Sequence, residues 1–334
     1  MAGTRTTTRS PESPDGVLRL GTRRSRLALA QSGQVAERIR QLTGRPVELV
    51  EITTVGDLSR EALTQIGGTG VFVSALRDAL LAGRIDLAVH SLKDLPTASP
   101  SDLVLAAVPE REDPRDVLVA RGGLTFERLP DGARVGTGSP RRMCQLAAWA
   151  RELGHRVELV PIRGNIDTRL GYVSGGELDA VVLAAAGLTR LGRSDAVTEV
   201  LPTDRLLPAP GQGALAVECS AGNEELAAQL ARLDDPATRL AVAAERALLA
   251  ALEAGCSAPV GAIATGNLGQ PGHSTGLFRI EAAVGAPDGS RLCRRSLTEA
   301  PPATPAEAAA IGRRLAERML VEGVAQCLEG VAAR

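Results

Sequence analysis

The chain has 334 residues, 44% of them apolar and only 1% aromatic, with a formal net charge of −1. That length predicts two or three domains, with cores built from Leu, Val, Ile and Ala. Balanced charge with three Phe, one Trp and one Tyr leaves neither the electrostatics nor the stacking surface of a nucleic-acid binder, and no stretch is long and apolar enough to span a bilayer.

Residues 1–16 are polar, contain two Pro and have no apolar core, which predicts a disordered tail and not a signal peptide. Residues 17–20 read as a strand, 25–42 as a helix ended by Gly44 and Pro46, and 47–52 as an alternating strand. Residues 53–70 are polar and Gly-rich, a mobile loop by composition; 71–82 has helical period and 85–90 is a strand. This β-α-β order predicts a mostly parallel sheet. A second unit begins after Glu110-Arg111-Glu112-Asp113-Pro114-Arg115-Asp116, with strands at 117–120 and 134–136, a helix at 141–153, a strand at 157–162, a helix from 166 past 171, and a strand at 180–184. The Pro- and Gly-rich stretch 207–213 follows, and 214–218 reads as a strand returning to the first sheet. A helix over 236–254, strands near 260–265, 278–284 and 291–296, and a last helix over 305–328 predict a small α+β domain.

The chemistry gathers where strands hand over to helices. The chain holds a single lysine, Lys93, beside Asp94 at the end of an apolar run, while every other basic residue is Arg. Arg offers a planar fork for carboxylates; Lys offers a compact charge whose pKa shifts readily. Gly136-Thr137-Gly138-Ser139-Pro140-Arg141-Arg142 places Ser139 to cap a helix and Pro140 at its first position. Two Arg in a first helical turn oppose the macrodipole unless an anion lies near them. Arg163 with Arg169, and Gly21-Thr22-Arg23-Arg24-Ser25, stand at equivalent junctions, where ligands of open α/β sheets bind. Together they predict a cleft for a ligand with several carboxylates or phosphates. No GxxxxGK[ST] occurs and no GxGxxG opens a helix, which disfavours a nucleotide. Five widely spaced Cys and three His form no zinc pattern and fit a reducing cytoplasm. Cys256 follows Gly255, a C-cap for the helix before it; read from the loop alone it is an inert thiol.

Eight motifs in order carry a resemblance: TRRS at 22–25, AVHSLKDLP at 88–96, EREDPRD at 110–116, VGTGSPRR at 135–142, RGNIDTRL at 163–170, AAAGLTRLG at 184–192, LPAPGQGALAVE at 207–218 and LEAGCSAPVG at 252–261. Over residues 17 to about 330 the chain resembles the porphobilinogen deaminase (hydroxymethylbilane synthase) family. The resemblance implies a cytoplasmic, monomeric transferase of tetrapyrrole (heme) biosynthesis. It condenses four porphobilinogen molecules stepwise into hydroxymethylbilane and releases four ammonia. It implies an α/β fold of two mixed-sheet domains like those of periplasmic binding proteins, joined by a hinge, with a small α+β C-terminal domain. The expected division is 1–16 as tail, 17–110 with 213–232, then 111–212, then 236–334 carrying the cofactor loop. A dipyrromethane cofactor, made from substrate, would hang from Cys256 by a thioether. Carboxylates of cofactor and growing chain would be held by Arg23, Arg141, Arg142, Arg163, Arg169 and Arg190, helped by Ser25, Ser91, Thr137, Ser139 and Lys93. Asp94 matches the family residue that stabilises the cationic azafulvene and relays protons. No metal is implied, and product would pass to the next pathway enzyme.

The chain departs from the family pattern at Gln65 and Thr69, where lysines are common and Arg60 stands nearby, at Gly138 in place of a hydroxyl, and at Ser220 in place of an Arg. Two other readings remain. A non-catalytic polycarboxylate-binding module would share the hinged fold, and a Schiff-base lyase would use Lys93.

Overall fold

The computed structural model describes residues 16–53, 71–253, 258–266, 276–286 and 288–328. It forms two compact units, one from the residues up to Glu110 with Leu215–Asp235, the other from Arg111–Ala214 with Pro236 onward.

The first unit is built on a five-stranded sheet. Strands β1 (Leu18–Thr22), β2 (Val47–Glu51) and β3 (Leu87–Ser91) are parallel, and β4 (Leu103–Ala107) stands at the far edge. The chain returns late to supply β10 (Leu215–Ser220), which lies antiparallel to both β3 and β4, as the sequence predicts for 214–218. Helix α1 (Arg26–Thr43) starts at Ser25, whose hydroxyl accepts the Ala28 N–H, and ends at Gly44 in the left-handed region at φ 69°. Its buried stripe, Val35, Ala36 and Ile39, joins Leu20, Val89 and Val217 in the core on one sheet face. Helix α2 (Val71–Leu81) covers the other face with Leu76, Ala79 and Leu80 against Ile85 and Ala88.

The second unit repeats the plan. Strands β6 (Ala133–Thr137), β7 (Val157–Pro161) and β8 (Ala180–Ala184) are parallel, and β5 (Asp116–Ala120) runs antiparallel to β8 and to the short β9 (Glu199–Val200). The order β7-β6-β8-β5-β9 mirrors β2-β1-β3-β10-β4, so each sheet is mixed rather than mostly parallel. Helices α3 (Pro140–Glu152), α4 (Ile166–Ser174) and α5 (Ala185–Arg190) follow β6, β7 and β8. This unit also contains the antiparallel sheet β11 (Val260–Gly266), β12 (Phe278–Gly285) and β13 (Leu292–Glu299), packed on α7 (Pro236–Ala251) and α8 (Pro305–Val321).

Several expectations need correcting. Between β10 and α7 stands a helix absent from the expected elements, α6 (Glu224–Ala231), capped by the Asn223 side chain on the Leu226 N–H. Helix α7 ends at Ala251, short of residue 254, because Glu253 takes φ 51°. The final helix stops at Val321 and a short α9 (Ala325–Leu328) follows, since Gly323 at φ 85° breaks the helical path. No helix among the described residues is long and apolar enough to cross a membrane. The loop with Arg60, Gln65 and Thr69, the tail up to residue 15, and Cys256 with Gly255 lie outside the described residues.

Candidate functional site

In the first unit, parallel β3 delivers its carboxyl end to a single 3-10 turn, Leu92–Asp94. Leu92 and Leu95 are buried and pin the turn, which leaves Lys93 half-buried and Asp94 exposed. Ser91 is held from α1: its Oγ lies 2.9 Å from Gln31 Nε2 and donates to Gln31 Oε1 at 3.2 Å. At the end of β1, Thr22 is fully buried, Arg23 is half-buried, and Ser25 is spent on the α1 cap. Arg24 pairs with Glu51 at 3.2 Å.

In the second unit the helix after β6 does not use the expected cap. The Ser139 side chain makes no capping bond; instead Thr137 Oγ1 accepts the Ser139 N–H at 3.2 Å. A fully buried Thr137 holds its hydroxyl in that place and turns the chain so tightly that Ser139 Oγ has no purchase on the first helical turn. Gly138 is exposed to close approach: a Cβ there would stand 2.5 Å from the Ile162 carbonyl oxygen and 3.7 Å from Arg169 Nη2. The hydroxyl-bearing residue usual at this position in the resembled family would therefore force the 138 and 162 loops apart.

The anion demanded by Arg141 and Arg142 at a helix N-terminus is supplied by the protein. Both side chains are buried against Asp116, the first residue of β5. Arg141 Nη1 donates to Asp116 Oδ2 at 2.7 Å and to the Leu207 carbonyl. Arg142 donates to Asp116 Oδ1 from Nη2 at 2.7 Å and from Nε at 3.1 Å, and from Nη1 to the Val182 carbonyl at 2.9 Å. Gln212 adds an N–H to Asp116 Oδ1 at 2.8 Å. Burial would push this carboxyl up, but the two guanidinium charges overcome it and hold Asp116 far below the usual range. All three nitrogens of Arg142 are thus engaged internally, whereas the buried Nε of Arg141 has no hydrogen-bond partner.

Arg169 sits beside these groups. Its Nε donates to the Gly164 carbonyl at 2.9 Å, and burial lowers its pKa, followed by the charges of Arg142 and Arg163, which also push it down. Arg190 donates to the Gly213 carbonyl at 2.6 Å and so braces the 208–213 segment. Glu245 in α7 is buried and accepts Arg111 in bidentate fashion, at 2.7 and 3.0 Å. It also takes the N–H groups of Gly211 and Ala264, which fixes α7 and β11, the two elements that flank the segment containing Cys256. Sequence reasoning missed Asp116, Glu218 and Glu245 as fixing groups; an acid inside an otherwise apolar run was the signal for Glu218 and Glu245, whereas Asp116 closes a charged stretch and carried none. Burial pushes the thiol of Cys144 up to about 12 and that of Cys219 up to about 11, so neither is a thiolate nucleophile near neutral pH.

Comparison with known proteins agrees with the motif resemblance. Residues 18–228 match the model for "Porphobilinogen deaminase, dipyromethane cofactor binding domain", and residues 239–321 match "Porphobilinogen deaminase, C-terminal domain". Porphobilinogen deaminase 1 of Streptomyces avermitilis is 68% identical over 313 residues, covering 92% of this chain and 96% of that protein. Porphobilinogen deaminase of Thermobifida fusca is 57% identical over 320 residues, covering 94% of this chain and 97% of that protein. Among solved structures, the lipoprotein Tp32 of Treponema pallidum aligns with a TM-score of 0.40 at 13% identity over 66% of this chain and 90% of that one, too slight a likeness to build on.

Proposed function

This chain belongs to the porphobilinogen deaminase family, and from that premise we propose which of its residues carry the stepwise condensation of four porphobilinogen units into hydroxymethylbilane. Each addition breaks the aminomethyl C–N bond of porphobilinogen, releases ammonia, and forms a C–C bond to a terminal pyrrole carbon, which gives up a proton. The enzyme is accordingly a transferase.

The family's cofactor is a polycarboxylate, and the donor set fits it. The observation that carries the reading is the placement of Arg169 at the open Gly138 junction, its Nη2 3.7 Å from where a Cβ of residue 138 would stand, a fork that suits acetate and propionate groups. Arg169 and Arg163 are the gripping groups of the second unit, while Arg141, buried on Asp116 with its Nε shut off from solvent, holds the start of α3. Arg142 and Arg190 act mainly by holding the junctions in shape, with Thr137 setting the turn before Ser139. Arg23 and Lys93 are the charged groups that the first unit brings to carboxylates, with Ser25 and Ser91 beside them, held by the α1 cap and by Gln31. Cys256 is the attachment point, in the segment between α7 and β11. When bound there, the dipyrromethane group supplies a primer with a free pyrrole carbon.

Asp94 is the residue assigned to the reaction. Exposed on a turn whose apolar neighbours are locked in the core, it can accept pyrrole N–H groups, stabilise positive charge as ammonia departs, and take up the proton released on bond formation. Lys93 beside it binds carboxylate rather than forming a Schiff base. Widely spaced cysteines, free among the described residues and buried at 144, 219 and 327, suit a reducing cytoplasm, and a monomer that passes its product to the next pathway enzyme completes the reading. The test is the intact mass of the purified chain. It should exceed the sequence mass by two pyrrole units and give colour with Ehrlich's reagent, and Cys256→Ser should show neither. A chain at its bare sequence mass, unchanged by incubation with porphobilinogen, refutes the proposal.

A further inference from the structure

Glu218 is fully buried in β10 and plays no part in the chemistry above. In the antiparallel register Ala216 faces His90 and Glu218 faces Ala88, so His90 and Glu218 are diagonal neighbours on the sheet face covered by α2. Arg77 of α2 grips the carboxylate with both arms, Nη2 to Oε1 at 2.8 Å and Nε to Oε2 at 3.1 Å. His90 Nε2 lies 3.2 Å from the same Oε2, an ion-pair contact outside hydrogen-bond alignment. All three side chains are at most 11% exposed. Burial works against the Glu218 charge, but His90 and Arg77 overcome it and hold its pKa at about 2. A buried ion pair of this kind is a poor stability device, since apolar residues of equal volume generally do as well or better. It does impose one geometry on the groups it joins.

Its place in the sheet gives that geometry a use. His90 is the penultimate residue of β3, four before Asp94, and the next residue, Ser91, is tied to Gln31 on the opposite face. The end of β3 is thus clamped from both faces immediately before the turn that carries Lys93 and Asp94. We propose that Arg77, Glu218 and His90 form a positioning array that sets the height and orientation of the Leu92–Asp94 turn, with His90 as the positioning residue through which Glu218 and Arg77 act. The inference rests on the role assigned to Asp94.

The experiment uses the full, cofactor-loaded chain, with loading read by intact mass and fold by thermal melting. In His90→Leu, kcat should fall about 10- to 100-fold, the scale of a misplaced reacting group, with KM within about twofold and loading intact. His90→Gln places an amide N–H where Nε2 stood, beside Glu218, and should recover most of the loss. In an Asp94→Ala background the His90→Leu change should add no further loss, read as the rate at which the first substrate unit adds to the mass. Unchanged kcat per loaded His90→Leu molecule overturns the positioning role, as does an equal extra loss in the Asp94→Ala background. Normal turnover by Asp94→Ala alone refutes the assignment of Asp94 itself and this inference with it, so the two failures are distinguishable. Should His90→Leu not fold, Arg77→Lys carries the test, because an ammonium cannot hold both oxygens in the same plane: a several-fold fall in kcat at constant KM supports the array, and no change overturns it.

Discussion

The two five-stranded sheets share one topology, and in each the strand antiparallel to the third parallel strand carries a fully buried carboxylate, Asp116 in β5 and Glu218 in β10. They differ in depth. Asp116 opens its strand opposite Ala184, at the carboxyl end of β8, where its reach is to the helix that follows β6. Glu218 lies three residues further in than Leu215, opposite Ala88, where its side chain meets Arg77 of α2 and His90 of β3. A buried acid in the equivalent strand therefore fixes different things: at the edge it fixes the two arginines that open α3, and deeper it fixes the end of β3, which leads into the Leu92–Asp94 turn.

Breaking the edge clamp should have the largest effect. Asp116→Asn leaves two buried guanidiniums short of a counter-charge and should cost about 3–5 kcal/mol in urea unfolding, with loss of cofactor loading. A cost equal to that of Glu218→Gln would erase the distinction between the clamps. Next comes the turn that the deeper clamp serves. Asp94→Ala should lower kcat by on the order of 10²-fold or more while moving stability by no more than about 0.5 kcal/mol, because Asp94 is exposed; steady-state kinetics and a urea curve on one preparation check both halves. Arg169→Ala should weaken the carboxylate grip by about tenfold in KM, without loss of stability, since it relieves the crowding with Arg142 and Arg163. A drop in melting temperature with KM unchanged would move Arg169 from gripping ligand to bracing the fold.

The smallest effect is on acid stability. The Glu218 pKa is held below its unfolded value, so its contribution is fully present above about pH 4.5 and is lost as pH falls toward about 2. At pH 3.5 the loss should be roughly 1 kcal/mol, and the slope of stability against pH over this range should flatten in Glu218→Gln. A slope identical in both chains would mean that Glu218 is not the group titrating there.

What was legible in the sequence was mainly what neighbours in the chain decide. The ends of α1 follow from Ser25 and Gly44, each of which satisfies backbone groups within four residues of itself. The return of 214–218 to the first sheet, the strand-to-helix junctions and the lone lysine beside Asp94 could likewise be read along the chain. The signal for α6 was also present, in Asn223 followed by Glu224 and Glu225, and was overlooked. The Ser139 cap failed for a different reason, because a buried Thr137 two residues earlier claimed the local geometry.

The sequence by itself determined the order of elements, the family, and the chemical kind of each ligand-handling group, since these depend on residue type and on contacts a few positions apart. Which arginines are spent inside the protein follows from the folded arrangement alone. Arg142 meets Asp116 across 26 positions and Arg77 meets Glu218 across 141. Such pairings follow from strand register and burial, which bring distant charges together in a low dielectric where each must find a partner.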